Sequence, residues 1–309
     1  MVNFYENKIR RKKRTGTFIT AGLVIVFLIL DYLAAGNLRQ FIVMALLIFI
    51  VAGAGYYYLV YEPLRAWEKV LSTPFPEKWR KILKRYVKFY NELDEDEKHY
   101  FEKRIQHFLY TKKITGVETT VDDTVKVLIA ASAIMPVFAF DDFTYDNIDE
   151  ILVYPQSFDH DFNTGKDKKI LGMVGDGYMN RMMILSKKDL LDSFSGRRTV
   201  HNVALHEFIH LIDKKDGSID GIPEILIDKA FLLPWLKELK KEMDKIKHHK
   251  SDIDPYAATS PSEFLAVVAE YFFMSPKKFK AKHPELYKYF YKIFRPKPNY
   301  FKRLLRLGK

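Results

Sequence analysis

His206 and His210 stand four residues apart with Glu207 directly after the first, in a stretch, Val203–Asp213, whose other residues before Asp213 are all apolar. On a helix, positions i and i+4 share a face, so both imidazoles can point at one ion. Neutral imidazole is a good zinc donor. Glu207, one residue on, sits beside such a pair and is placed to take a proton from an attacking water. Val203, Ala204, Leu205, Phe208, Ile209, Leu211 and Ile212 supply a dry wall that strengthens the field of an ion. The HExxH pattern is short, and its competing explanation is a buried helix carrying two hydrogen-bonded histidines. Isolated buried charges are costly, so the apolar setting favours a metal.

A catalytic zinc needs a third protein ligand and an open position. The chain has no HExxHxxGxxH extension, because Asp213 stands three residues after His210. A downstream acid must serve. In residues 262–273, Glu263 and Glu270 lie seven apart and on one helix face. Spacing leaves both open. Glu263 follows Ser260-Pro261, a helix-start signal, so capping is its competing role. Asp213, one turn beyond His210, is placed to accept from a ligand's other ring nitrogen, with a surface or capping acid as the alternative. His201, His248, His249 and His283 have no matching partners and read as surface residues.

The stretches NVALHEFIHLIDKKDGSIDGIP, DPYAATSPSEFLAVVAEYFFMSPKKFKAKHPELYKYF, KVLIAASA and ILVYPQSF resemble the zinc-dependent peptidase family of Mlc titration factor A. The resemblance runs from about Trp79 to Phe294 and covers neither the first sixty residues nor the last fifteen. That family is similar, around its metal site, to the protease domain of anthrax lethal factor. In both, the third ligand is a glutamate seven residues after a tyrosine, the separation of Tyr256 and Glu263 here. The resemblance implies that His206, His210 and Glu263 bind zinc, that Glu207 is the catalytic base and that Tyr256 steadies the oxyanion. It leaves Glu270 a supporting or structural role. A phenol suits the oxyanion task, since it can donate to an oxygen that becomes negative as water attacks a carbonyl.

The elements that must position these residues are legible in outline. Residues 76–113 carry apolar side chains at three- and four-residue steps (Leu83, Val87, Tyr90; Phe101, Ile105, Phe108) and predict two helices broken near Leu93-Asp94. Residues 121–140 open with acids and continue apolar, which predicts a helix ending near Pro136. EILVYP (150–155), KILGMVGDGYM (169–179, with Gly172, Gly175 and Gly177) and RMMILS (181–186) read as short strands, with a loop-rich stretch between the first two. A strand edge near RMMILS is the expected place for a substrate backbone to add. The rest of the chain reads as helical. The fold class is α+β, a small sheet beside several helices, which the resemblance makes a zincin-like metallopeptidase domain.

Two apolar runs precede that domain, at about 17–34 and 41–60, each close to the ~20 residues that span a bilayer as a helix. Tyr56, Tyr57, Tyr58 and Trp67 suit an interfacial belt. A cleaved signal peptide is the competing reading; the first run is long for one, and a second follows at once. Lysines and arginines at 8–14 and after 65 flank the pair, while the loop between has only Arg39, so both flanks are expected in the cytoplasm. The expected organisation is a basic N-terminus and transmembrane helical hairpin at 1–62, a zinc metallopeptidase domain at 63–295 and a basic tail at 296–309.

Fifty Lys plus Arg against thirty-nine acids give a net charge of +11. That balance calls for an anionic partner, and the basic clusters beside apolar residues favour a membrane surface, the tail included. No recognition helix, zinc finger or RNA-binding aromatic motif is present, so nucleic acid is not expected as a partner. With no cysteine, no thiolate can bind metal or attack a substrate. The functional expectation is a membrane-anchored zinc metallopeptidase acting on peptides or proteins. The alternative is a binding protein that captures a regulatory partner such as a transcriptional repressor.

Overall fold

The computed structural model describes residues 2–159, 164–165, 170–175, 180–195, 201–227 and 229–294. The basic tail at 296–309 and Gly177 lie outside the described residues. Contacts divide the chain into two compact units, one reaching to Pro74 and the other starting at Phe75.

The first unit contains α1 (Val2–Ala34), α2 (Leu38–Tyr56) and α3 (Glu62–Ser72), with a π-helical turn at Tyr57–Tyr61. Two helices, Ile9–Ala34 and Leu38–Tyr61, are long and apolar enough to cross a membrane, and their apolar windows are wholly unburied. The reversal between them is set by Asn37, whose side chain accepts from Gln40 N and so caps α2. Thr17 Oγ1 donates to Tyr56 Oη at 3.2 Å across the hairpin.

The second unit has helices α4 (Glu77–Tyr86), α5 (Lys88–Asn91), α6 (Glu95–Thr111), α7 (Asp123–Ile134), α8 (Lys187–Phe194), α9 (Val203–Asp213), α10 (Lys229–Lys247), α11 (Pro261–Met274), α12 (Pro276–Lys282) and α13 (Pro284–Phe294). Its strands are β1 (Lys113–Gly116), β2 (Glu150–Tyr154), β3 (Gly172–Val174) and β4 (Met182–Ser186). Asp94 and Glu97 form a reciprocal capping box at the start of α6, which is why the chain breaks at Leu93-Asp94. A further break at Val87, in extended backbone, divides α4 from α5 and was not expected. α7 ends at Ile134, one residue before a 3₁₀ turn containing Pro136.

The sheet runs β1-β2-β4-β3, with β1, β2 and β4 parallel and β3 antiparallel to β4. Ile151 and Val153 of β2 and Met183 to Leu185 of β4 are buried, as strands covered by helices should be. α7 is apolar all round and lies at the centre, packed on α4, α6, α8 and α9. The fold class is α+β, a mostly helical domain with a small mixed sheet and two apolar helices ahead of it. β4 is paired on both sides, and the sheet edge near it is β3, whose outer side has no strand partner among the described residues.

Candidate metal centre

α9 begins where Asn202 accepts from Leu205 N at 3.0 Å, and the Asn202 side chain is itself held by Ser132 Oγ of α7. The cap fixes the rotation of α9, so its apolar residues enter the core and its polar trio faces a cleft. Phe208 packs against Phe108 and Tyr145, and Ala204, Leu205, Phe208 and Ile209 are fully buried. α11 packs directly on α9. Its first turn is capped by Ser260, which accepts from Glu263 N at 3.1 Å, while the Glu263 carboxylate turns toward the histidines. Gly221 admits the close crossing of the loop over that turn. It has φ 74°, and a Cβ there would stand 2.3 Å from Pro261 O.

The three groups meet. One ligand atom each from His206, His210 and Glu263 lies within 4.8 Å of the others. Glu263 Oε2 is 3.0 Å from His206 Nε2, and Oε1 is 3.6 Å from His210 Nε2. The two Nε2 atoms are 3.1 Å apart. Both rings are tied at their other nitrogen. His206 Nδ1 donates to Glu270 Oε1 at 2.7 Å, and His210 Nδ1 donates to Ser262 Oγ at 2.9 Å, whose hydroxyl in turn donates to Asp213 Oδ2 at 2.8 Å. With the protons held at Nδ1, both Nε2 atoms present lone pairs to each other and to a carboxylate. Two lone pairs and a negative charge converging without a donor among them fit a cation. The outer bonds to carboxylate and hydroxyl are the usual support of metal-binding histidines.

The charges agree with that reading. Burial opposes charge on His206, yet the carboxylates of Glu263 and Glu270 raise its affinity for a proton well above the ordinary histidine range. Burial likewise opposes charge on Glu263, but His206 and His210 hold its carboxyl well below the usual range. Glu207 is buried and pushed upward by desolvation, offset in part by the two histidines. Tyr256 lies in a 3₁₀ turn, Pro255–Ala258, capped by Asp254, with its ring 6.3 Å from that of His206. Desolvation and the charge of Glu263 push its phenol up to about 12, so it keeps its proton near neutrality.

His206, Glu207, Tyr256 and Glu270 line a cleft of about 640 Å³, whose walls include Leu171, Gly172, Val203, Val267 and Asp254. Asp213 supports His210 through Ser262 rather than directly. Glu270 supports His206 and also accepts from Asn202 N at 2.5 Å. His201 is exposed, as a surface reading expects, and it also lines the cleft, with its ring nitrogens 3.7 Å from Asp254 and Glu270. The surface reading fails for His283. His283 is largely buried and its Nε2 lies 2.7 Å from Asp252 Oδ1, a pairing hidden by 31 residues of separation. His248 and His249 are exposed. Sequence reasoning missed Ser262, Asn202 and Gly172. Asn202 directly before an apolar run is a legible cap signal; for Ser262 and Gly172 the signal is only spatial.

Known proteins resemble this chain over the same region. The uncharacterized protein slr2042 of Synechocystis sp. is 28% identical over 239 residues, covering 74% of this chain and 86% of its own length. Mlc titration factor A of Salmonella agona is 30% identical over 209 residues, 63% of this chain and 77% of the relative. Mlc titration factor A of Escherichia fergusonii is 29% identical over 217 residues, 65% and 78% respectively. A family model, glucose-regulated metallo-peptidase M90, matches residues 61–295. That span takes in the whole cleft, and the chain belongs to the glucose-regulated metallo-peptidase M90 family.

Proposed function

We propose that this protein is a membrane-anchored zinc peptidase whose catalytic domain is residues 63–295. The observation that carries the reading is the convergence of His206 Nε2, His210 Nε2 and the Glu263 carboxylate, each ring already tied at Nδ1. Two imidazoles and one carboxylate suit zinc and leave a fourth position open. A zinc ion held there supplies Lewis acidity and makes water nucleophilic near neutral pH. Glu207, beside the ligands and lining the cleft, accepts the proton of the attacking water and passes it to the leaving amine. Tyr256, still a phenol, donates to the oxygen of the scissile carbonyl as it becomes negative. β3, whose outer edge has no strand partner among the described residues, borders the same cleft through Gly172 and suits an extended substrate backbone added as a further strand.

Replacing Glu207 by Gln removes the proton acceptor and no ligand. Metal content and folding should stay nearly intact while peptide hydrolysis falls by ~10²–10⁴-fold. Unchanged hydrolysis in a metal-replete Glu207→Gln protein would rule out this role. The name of the titration-factor relatives favours a second reading, capture of a regulatory partner. Full function of Glu207→Gln in cells lacking the wild-type protein would decide for capture.

The two apolar helices support a membrane anchor, and the lysines and arginines flanking them support a cytoplasmic catalytic domain. A reporter fused after Lys309 should be cytoplasmic and one inserted near Asn37 external. An external C-terminus would overturn the orientation.

A further inference from the structure

Gly172 belongs to the edge strand β3, which packs on α9. A Cβ built at this position would stand 2.8 Å from Glu207 Cγ, 2.8 Å from Glu207 Oε1 and 2.9 Å from Val203 Cγ2. Those separations are well inside the ~3.5–4.0 Å at which carbon atoms pack. Two other glycines with close neighbours differ in kind. A Cβ at Gly116 would meet Thr119 O at 2.0 Å, and one at Gly221 would meet Pro261 O at 2.3 Å, so those positions hold the course of the backbone. At Gly172 every close neighbour is a side-chain atom. An added methyl group there displaces the Glu207 side chain before it displaces the fold.

Glu207 has no hydrogen bond to its carboxylate among the described residues; its neighbours act on it through burial and charge. Its conformation is therefore set by packing, between Val203 one turn back and the bare backbone of β3. The rings of His206 and His210 are tied by hydrogen bonds at Nδ1, whereas the Glu207 carboxylate, among the described residues, relies on a wall.

We propose that Gly172 is a positioning residue for Glu207: the missing side chain on the edge strand fixes where the carboxylate stands in the cleft. This rests on the reading of Glu207 as the base. The test uses the full-length chain, comparing wild type, Gly172→Ala, Glu207→Ala and the double variant for metal content, kcat and KM on a model peptide. Gly172→Ala should keep its metal and lose about 10²-fold in kcat at nearly unchanged KM, the scale expected when a catalytic group moves by about 1 Å. In the Glu207→Ala background the same substitution should leave the residual rate unchanged, because the group it displaces is gone. An equal loss in both backgrounds, a change confined to KM, or full activity of Gly172→Ala overturns the inference while leaving Glu207 as base. Should Gly172→Ala not fold, restored folding in the double variant supports the contact, and continued misfolding overturns it. A metal-replete wild type that hydrolyses no peptide sinks the reading of the site and this inference with it.

Discussion

The first turn of α11 and its middle carry the same residue type and do different work. Glu263 and Glu270 share a helix face, and both carboxylates reach His206. Glu270 is almost fully buried, and its two oxygens accept from His206 Nδ1 and Asn202 N. Glu263 is more open, and both its oxygens face the Nε2 atoms of the histidines. A carboxylate whose oxygens already accept protons can orient a ring but offers little to an ion. One that faces the ring lone pairs on both oxygens is placed to serve as a ligand. Helix periodicity places a side chain on a face; the donors it meets there decide its role.

The sharpest way to break this comparison is to remove each acid in turn. Glu263→Ala should lose metal most, beyond the ~10–100-fold that loss of an outer partner typically costs in affinity. Glu270→Ala should fall within that range, read by titration against a chelator. It should also lower the melting temperature, because Asn202 N is left buried without its acceptor, at a cost of about 1–3 kcal/mol. Glu263→Ala has no such buried donor to orphan and should melt closer to the wild type once both are metal-free. If Glu270→Ala lost more metal than Glu263→Ala, the two roles would have to be exchanged.

How much was readable beforehand follows the range of each signal. HExxH is local: five residues of one helix fix two imidazoles on a face, and no tertiary information is needed. The hairpin was readable for a similar reason, since uniform hydropathy over about 20 residues needs no partner to be recognised. β2, β4 and the break at Leu93-Asp94 were also local, through apolar runs and a cap. β1 was missed because Lys113–Gly116 is short and half exposed, so its sequence carries no alternation. Strand order was not legible, because it is set by pairing between segments far apart, which composition does not report. Choosing between Glu263 and Glu270 from spacing was impossible, and the family resemblance supplied that choice. Gly172 is the extreme case. Its strand was legible, but its importance lies in an approach to a residue 35 positions away, which the local sequence does not report.

The smallest expected effect concerns the second histidine. His206 is oriented by a carboxylate, whereas His210 reaches Asp213 only through the Ser262 hydroxyl. A charged acceptor holds a ring N–H more strongly than a neutral one. Asp213 keeps a bond from Gly221 N at 3.0 Å when Ser262 is changed, so no buried charge is stranded. Ser262→Ala should therefore weaken metal binding by about 10-fold, the low end for an outer partner, and by less than Glu270→Ala. Kcat per bound metal should stay close to the wild type, since neither Glu207 nor Tyr256 touches the relay. Chelator titration of the three proteins side by side checks the order. A Ser262→Ala loss equal to that of Glu270→Ala would mean the hydroxyl transmits the full pull of Asp213, and the two histidines would then be held alike.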